Sequence, residues 1–438
     1  MNRHRSSLGT LLHHVHVSGP LSRAALAARM GVNRSTILAL TSELVAAGLV
    51  REGHPAGTTG AGRPSLMVRP ESQRVYVLAF DVAVDRLTAA RVGLGGPILD
   101  RRCAPRPRAG VDLDTVVTKL AEMGRGLLAG APVGAVCVGV GASYCGMIRP
   151  GDGMVRYGPE TGWVDQAFGA ELERALGAGL PVAVGNEAHL GALAEFERGA
   201  GVGSPDLVYL HGDVGVGGGI LVGGRLLGGE SGYGCEVGHM LVNPVDGRSC
   251  LCGSRGCLEA ETGEYALLAA AGRAPGTMGR EAVCAVLRDA AAGDRAAAAA
   301  VAEIGDWLGI GVANLINLFN PGVVIFGGML RDVYAAAAPH VAARIAQHAM
   351  PVSRERAKLQ LSGLADDATL IGAAERGFAA LLADPLTAID DISRTHAGIA
   401  ENDSETSVVA NPAAGRRPDS RTAIRAPGAD PGRSGSGC

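Results

Sequence analysis

Lysine is almost absent. Of 40 basic residues only Lys119 and Lys358 are lysine, a skew that by itself carries no functional reading. Aromatic residues make up 3% of the 438, so the hydrophobic 47% is mostly Ala, Val and Leu. The N-terminus has no secretory h-region, because His13, His14 and His16 interrupt its first apolar run. The most apolar later run, around Ile304–Phe326, is broken by Asn314, Asn317, Asn320 and Pro321, which argues against a membrane span. Cysteine is sparse and odd in number, nine in all, in a chain that shows no export signal. That excludes a disulfide scaffold and favours reduced thiols in a cytoplasm, with any clustered ones suspected of holding metal.

The length predicts two or three domains, and 19% charged residues beside 47% hydrophobic describe a soluble globular chain with large cores. The net charge of −3 is unevenly spread. Residues 1–69 hold eight arginines against Glu43 and Glu52, a net of +6, which leaves −9 for the remainder. A basic head on an acidic body points to a polyanionic partner, with nucleic acid the leading candidate.

Residues 8–69 read as three helices and a two-stranded ribbon. Ser22 can cap a short helix that ends at Gly31 and turns Leu26 and Met30 inward. The next helix places Val32, Ile37, Leu40, Leu44 and Val45 on one face and closes at Gly48. Two helices joined by a tight glycine turn, followed by a strand, a Gly-rich loop and a second strand, form a winged helix-turn-helix pattern. From Arg74 the period changes to strands. VYVLAFDVA, LTAARVGL and GPILDRRCA precede a helix at 112–129, and LVYLHG and GGGILVGG restart a strand meander at 207. Two blocks of strands then helix predict a two-lobed α/β body with a cleft between the lobes. The expected divisions are 1–70, 74–195, 196–382, whose last helix packs back on the first lobe, and a disordered tail over 383–438.

One stretch, GHMLVNPVDGRSCLCGSRGCLE, gathers His239, Cys250, Cys252 and Cys257. A turn containing Gly253 can wrap Cys250 and Cys252 around one ion. Four N/S ligands fill a tetrahedral zinc shell and leave no place for a reactive water, so the role is structural. A histidine ligand makes iron–sulfur the poorer choice. Cys235 is close enough to be a rival ligand, although packing suits it better.

This run resembles the zinc signature of the ROK family of repressors, unidentified reading frames and sugar kinases. GNEAHLGALAEF, GVGGGILVGGRLLGG and NLFNPGVVIFGG resemble further family segments, and residues 21–50 with GAGRPS resemble the head of its repressor branch. The resemblance implies an α/β chain: an N-terminal winged helix-turn-helix followed by a two-lobed, actin-like or ribonuclease-H-like sugar-kinase fold with a zinc-binding loop. It also implies that Asn186, Glu187, Glu236, His239 and Glu259 hold a hexose. Independently, carboxylates and amides suit vicinal hydroxyls, and a zinc-bound histidine stays neutral. Zinc would then staple the loop so that His239 and Glu259 meet the ligand.

Kinase activity is not expected. The family's Asp-x-Gly-Gly-Thr turn is here Asp81-Val82-Ala83-Val84-Asp85, its Gly-Thr-Gly turn is His211-Gly212-Asp213, and Glu187 replaces the catalytic aspartate. Side chains and carboxylates at such turns oppose close approach of phosphate. Two further departures are Cys145-Gly146 for Pro-Gly and Glu160 for an asparagine ahead of Gly162-Trp163.

In the head, Asn33, Arg34, Ser35 and Thr36 open the recognition helix, Arg34 suited to guanine and Ser35 and Thr36 to phosphate or a thymine methyl. Arg23 is the expected phosphate contact, and Arg63 the residue that enters an adjacent minor groove. The sequence therefore predicts a cytoplasmic transcriptional regulator, a homodimer or homotetramer on a double-stranded operator, with a sugar or sugar-phosphate effector. The rivals are an ATP-dependent hexose kinase retaining a DNA-binding head, and a DNA-binding protein with a vestigial cleft.

Overall fold

Helix α1 (Asn2–Ser18) buries Leu8, Leu11, Leu12 and Val15, spaced three or four apart so that they form one stripe. Strand β1 (Leu21–Ser22) leads into α2 (Arg23–Met30), whose N-cap Ser22 accepts from Ala25 N and whose C-cap Gly31 is left-handed at φ 64°. Helix α3 (Arg34–Ala46) buries Ile37, Leu40, Thr41 and Leu44. Val45, expected inside, is 41% exposed: the 37–40–41–44 stripe is complete, and one further residue turns about 100° away from it. Strands β2 (Val50–Gly53) and β3 (Met67–Pro70) complete an antiparallel sheet in the order β1-β3-β2.

The structure is a computed structural model that describes residues 2–54, 65–108, 110–177, 179–392 and 394. The chain divides into two compact units, Met1–Ile389 and Asp390–Cys438. Of the expected disordered tail, 383 and 385–389 are instead helical, as are 390–392 in the second unit; apart from Asp384 and Arg394, the rest lies outside the described residues.

The body repeats one topology. Strands β4 (Val75–Val82), β5 (Arg86–Gly93) and β6 (Ile98–Pro105) form an antiparallel meander, followed by α4 (Leu113–Ala129) and β7 (Val136–Tyr144). A small meander of β8 (Met147–Ile148), β9 (Val155–Gly158) and β10 (Trp163–Gln166), which no strong alternation announces, precedes α5 (Phe168–Leu176). Strand β11 (Val182–Asn186) completes the first sheet, β11-β7-β4-β5-β6, with β7 and β11 joined in parallel. Helix α6 (Glu187–Arg198) follows at once.

The second lobe starts again with β12 (Leu207–Gly212), β13 (Val216–Val222) and β14 (Arg225–Leu226). A loop with a 3-10 turn at Val237–His239 leads to α7 (Leu258–Thr262), α8 (Glu264–Ala270), α9 (Arg280–Ala291) and α10 (Arg295–Phe319). Strand β15 (Val323–Gly328), α11 (Met329–His348), α12 (Pro351–Arg354), β16 (Lys358–Leu361) and α13 (Ala368–Ala383) end it. Its sheet is β14-β13-β12-β15-β16, again a meander extended by two parallel strands.

Helix α13 packs on β4 and β7 of the first sheet and on α6, which in turn covers β12 and β13. Among the described residues, α10 alone is long and apolar enough to cross a membrane. Its apolar stripe, including Ile304, Leu308 and Val312, is buried in the second core. Gly305 lets it approach α11, where a Cβ would stand 2.7 Å from that of Ala337.

Candidate functional site

The cleft forms where the two sheets present corresponding strand ends. Strand β11 ends at Asn186, whose Oδ1 caps α6 by accepting from His189 N at 3.0 Å and whose Nδ2 donates to Gly146 O at 3.0 Å. This fixes Glu187 in the first helical turn. From the second lobe, the β12–β13 turn brings Asp213, Val214 and Gly215, and the 3-10 turn brings Glu236 and His239. Asn186, Glu187, Glu236, His239 and Glu259, separated by up to 73 positions, line one cavity of about 140 Å³. Glu160 and Asp213 line it too, although the sequence marked them only as departures from a pattern.

Glu259 stands in α7 beside the cysteine loop. Its Oε2 accepts from Val216 N at 3.0 Å, and the Cys250 thiol lies 3.6 Å from Oε1. In the loop, Gly253 (φ 89°) donates to Cys250 O and Cys250 donates to Ser254 O, a tight turn that carries both Cys250 and Cys252. The ligand atoms of His239, Cys250, Cys252 and Cys257 all lie within 4.8 Å of one another. His239 Nδ1 is 3.6 Å from Cys250 Sγ, and Cys252 Sγ is 3.7 Å from Cys257 Sγ. Cys235 stands apart, with its thiol donating to Leu227 O. The donor set is that of a possible metal site.

A family model described as "ROK family" matches residues 77–376. The chain belongs to the ROK family.

This ROK chain is 28% identical over 365 residues to a xylose repressor of Caldicellulosiruptor bescii, covering 80% of this chain and 90% of the relative. A solved ROK family transcriptional regulator, described as a homolog of the E. coli MLC protein, superposes with a TM-score of 0.73 at 27% identity. That match covers 89% of this chain and 99% of the other. A ROK family glucokinase from Streptomyces griseus, solved with glucose and AMPPNP, gives 0.59 at 28% identity, covering 69% and 99%. The α/β sugar-kinase-like fold is thereby established.

Within this ROK fold the first hairpin turn is closed by side chains. Ala83 and Val84 are buried. The Arg106 guanidinium donates to both their carbonyls, at 3.3 and 2.8 Å, with its face 5.7 Å from the Trp163 ring. Arg108 joins Asp85 to Glu264 of α8, each contact 2.9 Å, and so ties the first lobe to the second. Asp81 accepts a hydrogen bond from Ser143. None of these residues was singled out by sequence as a lobe tie, because Arg106 and Arg108 reach their partners only through the tertiary fold.

The cavity is strongly acidic. Burial, and next the Glu259 charge, pushes Glu160 up to about 7. Burial, then Asp85, raises Asp213 to about 6. Burial, then Asp213 and Asp81, lifts Glu187 well above its ordinary value, and burial raises Glu236. His211, buried beneath the second turn, falls to about 4 and is neutral.

In the head, Asn33 is an N-cap: its Oδ1 accepts from Thr36 N, Thr36 Oγ1 and Ser35 Oγ at 2.7–2.8 Å. Arg34 and Ser35 are exposed at that helix start. Arg23 is held by both Glu52 oxygens, across from α2 to β2. Arg63 lies outside the described residues. A buried polar junction missed by sequence joins head to body. His16 Nε2 meets Glu375 Oε2 of α13 at 2.8 Å, and Gly95 N donates to His16 Nδ1 at 2.9 Å, which places the ring proton on Nε2. Arg198, at the end of α6, donates to Glu375 Oε1 at 2.6 Å and to the carbonyls of His16 and Gly95. Helix α6 thus runs from the cavity, at Asn186 and Glu187, to the head.

Proposed function

We propose that this protein is a DNA-binding transcriptional repressor whose operator affinity is set by a sugar bound in the interlobe cleft, and that it does not phosphorylate that sugar. The observation that carries the reading is the head. Three helices and a ribbon precede the body, and the matches to a xylose repressor and to the solved regulator cover 80% and 89% of this chain, whereas the glucokinase match covers 69%. We read the head as a winged helix over 1–70, the lobes as 74–195 and 196–382, and α3 as the helix that enters the major groove. Arg34 then reads a base edge, and Ser35 and Thr36 meet phosphate. Asn33 acts by capping, and the exposed Leu38 offers an apolar contact. Arg63 belongs to the wing. Arg23, neutralised by Glu52, fixes the ribbon and contributes less to phosphate binding than its charge suggests.

Zinc is the metal that the His239, Cys250, Cys252, Cys257 set suits. Three thiolates and one imidazole complete a tetrahedral shell, so the ion is structural and supplies no open coordination site. It holds His239 and Glu259 at the cavity, where Asn186, Glu187 and Glu236 complete a hexose-type polar lining.

Loss of phosphoryl transfer follows from the turns. Backbone amides cradle phosphates only where nothing blocks approach. Here Ala83 and Val84 are packed, Asp85 is engaged by Arg108, and Asp213 adds negative charge. Control of the head follows from the helix that links it to the cleft: a sugar that closes the lobes around Asn186 and Glu187 also loads Arg198, Glu375 and His16. The two lobe arrangements need to differ in ligand affinity by a few kcal/mol to switch a two-state head.

The test is DNA selected from a random duplex library by the zinc-loaded, full-length protein at low salt. Specific binding to a two-fold site is expected of the homodimer or homotetramer read from the sequence, and Arg34→Ala should weaken it by about 1–3 kcal/mol. Indifference to duplex DNA, or ATP-dependent hexose turnover abolished by Glu187→Gln, would overturn the reading.

A further inference from the structure

The cavity holds more carboxyl groups than a neutral sugar requires. Glu160, Glu187, Asp213, Glu236 and Glu259 line it, and no lysine or arginine does. Arg86 lies within electrostatic reach of Asp81, Asp213, Asp85 and Glu187, whereas the charges that act on Glu160 are those of Glu259 and Glu236. The five carboxylates do not converge as ligands of a metal: among the described residues, only the His239 and cysteine group brings three or more such atoms within coordinating distance.

Two of the carboxylates confront each other. A Cβ built on Gly215 would stand 2.3 Å from Glu259 Oε2 and 2.8 Å from Glu160 Oε1, so both groups crowd one backbone point that only glycine leaves open. Glu259 is satisfied in part by Val216 N. Among the described residues no side chain bonds or neutralises the Glu160 carboxylate; besides its own backbone amide it faces the charges of Glu259 and then Glu236. This pair also lies where the cavity adjoins a second, of about 250 Å³, lined by Glu160, Gly215, Glu259, Arg248, Ser249 and Tyr265 among others. The room beside the pair is therefore open to a ligand group on either side.

A protonated amine meets these conditions. It brings three N–H donors and one positive charge to oxygen atoms that have few donors and no paired cation, and charge-assisted hydrogen bonds are the strong ones. A phosphate at the same place meets like charge, and Arg248 of the adjoining cavity is already paired with Glu261 and Glu303. We propose that the cleft takes a sugar bearing an ammonium group, an amino sugar, with that group seated between Glu160 and Glu259. The proposal rests on the reading of the cleft as a sugar site and names the ligand's chemical class.

The experiment is calorimetric titration of the zinc-loaded, full-length protein at pH 7. The panel is glucosamine, galactosamine, mannosamine and 3-amino-3-deoxyglucose, each against its hydroxyl counterpart, with xylose, glucose 6-phosphate and N-acetylglucosamine included. At least one amino sugar should bind about tenfold or more tightly than its counterpart, a preference that weakens with salt and disappears on N-acetylation. Glu160→Gln, which keeps the shape and removes the charge, should bring the ratio towards one. A neutral sugar or a sugar phosphate that binds more tightly than every amine overturns the proposal and leaves the sugar-site reading standing. Silence of the whole panel overturns both. An amine preference undiminished in Glu160→Gln overturns the placement, and the N-acetyl comparison decides the charge question should that variant not fold.

Discussion

The two lobes share a sheet topology, but their cleft-facing hairpins are built in opposite ways. In the first, the β4–β5 turn carries Ala83, Val84 and Asp85 and is held by Arg106 and Arg108. In the second, the β12–β13 hairpin is held by the absence of side chains. A Cβ at Gly219 would meet Ala188 O and Ala192 Cβ, both at 2.5 Å, and one at Gly218 would meet Val237 at 2.3 Å. The glycine-rich stretch 215–219 is where α6 and the cysteine loop approach the strand. The first hairpin is thus held by charge at its turn, and the second by close packing along the strand that follows its turn.

The contrast can be broken most severely at Arg108. Replacing it by Gln strands Glu264, which is nearly fully buried, and removes the tie to Asp85; a loss of about 3 kcal/mol in denaturant unfolding is expected. A loss below about 0.5 kcal/mol would show the tie to be ornamental. In the second hairpin, Gly219→Ala should cost about 1–3 kcal/mol by overpacking α6, whereas Ala83→Gly in the first should change stability by less than about 1 kcal/mol. Equal costs at the two sites would erase the distinction. A further effect concerns pH. Glu160 is raised to about 7, so its contribution is favourable at low pH and is lost as pH climbs from about 4.5 through 7. Glu375 runs the other way: burial alone would raise it, but His16 and Arg198 hold it at about 2, so its contribution is present above about 4.5 and fades as pH falls towards 2. Glu160→Gln should therefore raise stability at pH 8 by about 1–2 kcal/mol and scarcely alter it at pH 4. Equal stabilisation at both pH values would sink the assignment.

Much of the site could be read along the chain. The spacing His239, Cys250, Cys252, Cys257 announced a metal set, and the same four residues are gathered in space. Ser22 and Gly31 bound α2 as capping chemistry requires, since the first and last backbone groups of a helix need partners that a local side chain or a left-handed glycine supplies. The small meander at 147–166 was not legible, because strands of two to four residues carry too little alternation. Nor was the role of Glu160: its position in the sequence marks only a departure from a pattern, and its charge acquires meaning only against Glu259, 99 residues away.

By itself the sequence determined what depends on neighbours a few residues apart: helix stripes and caps, the cysteine turn, the basic head, and the loss of glycine from the first turn. Tertiary structure decided what depends on partners far along the chain. It set Arg108 between Asp85 and Glu264, placed His16 against Glu375 and Arg198, and gathered five carboxylates in one cavity. The reason is physical. Local patterns are fixed by backbone geometry and short-range hydrogen bonds, whereas the energy of a buried charge depends on which distant groups replace the water it has lost.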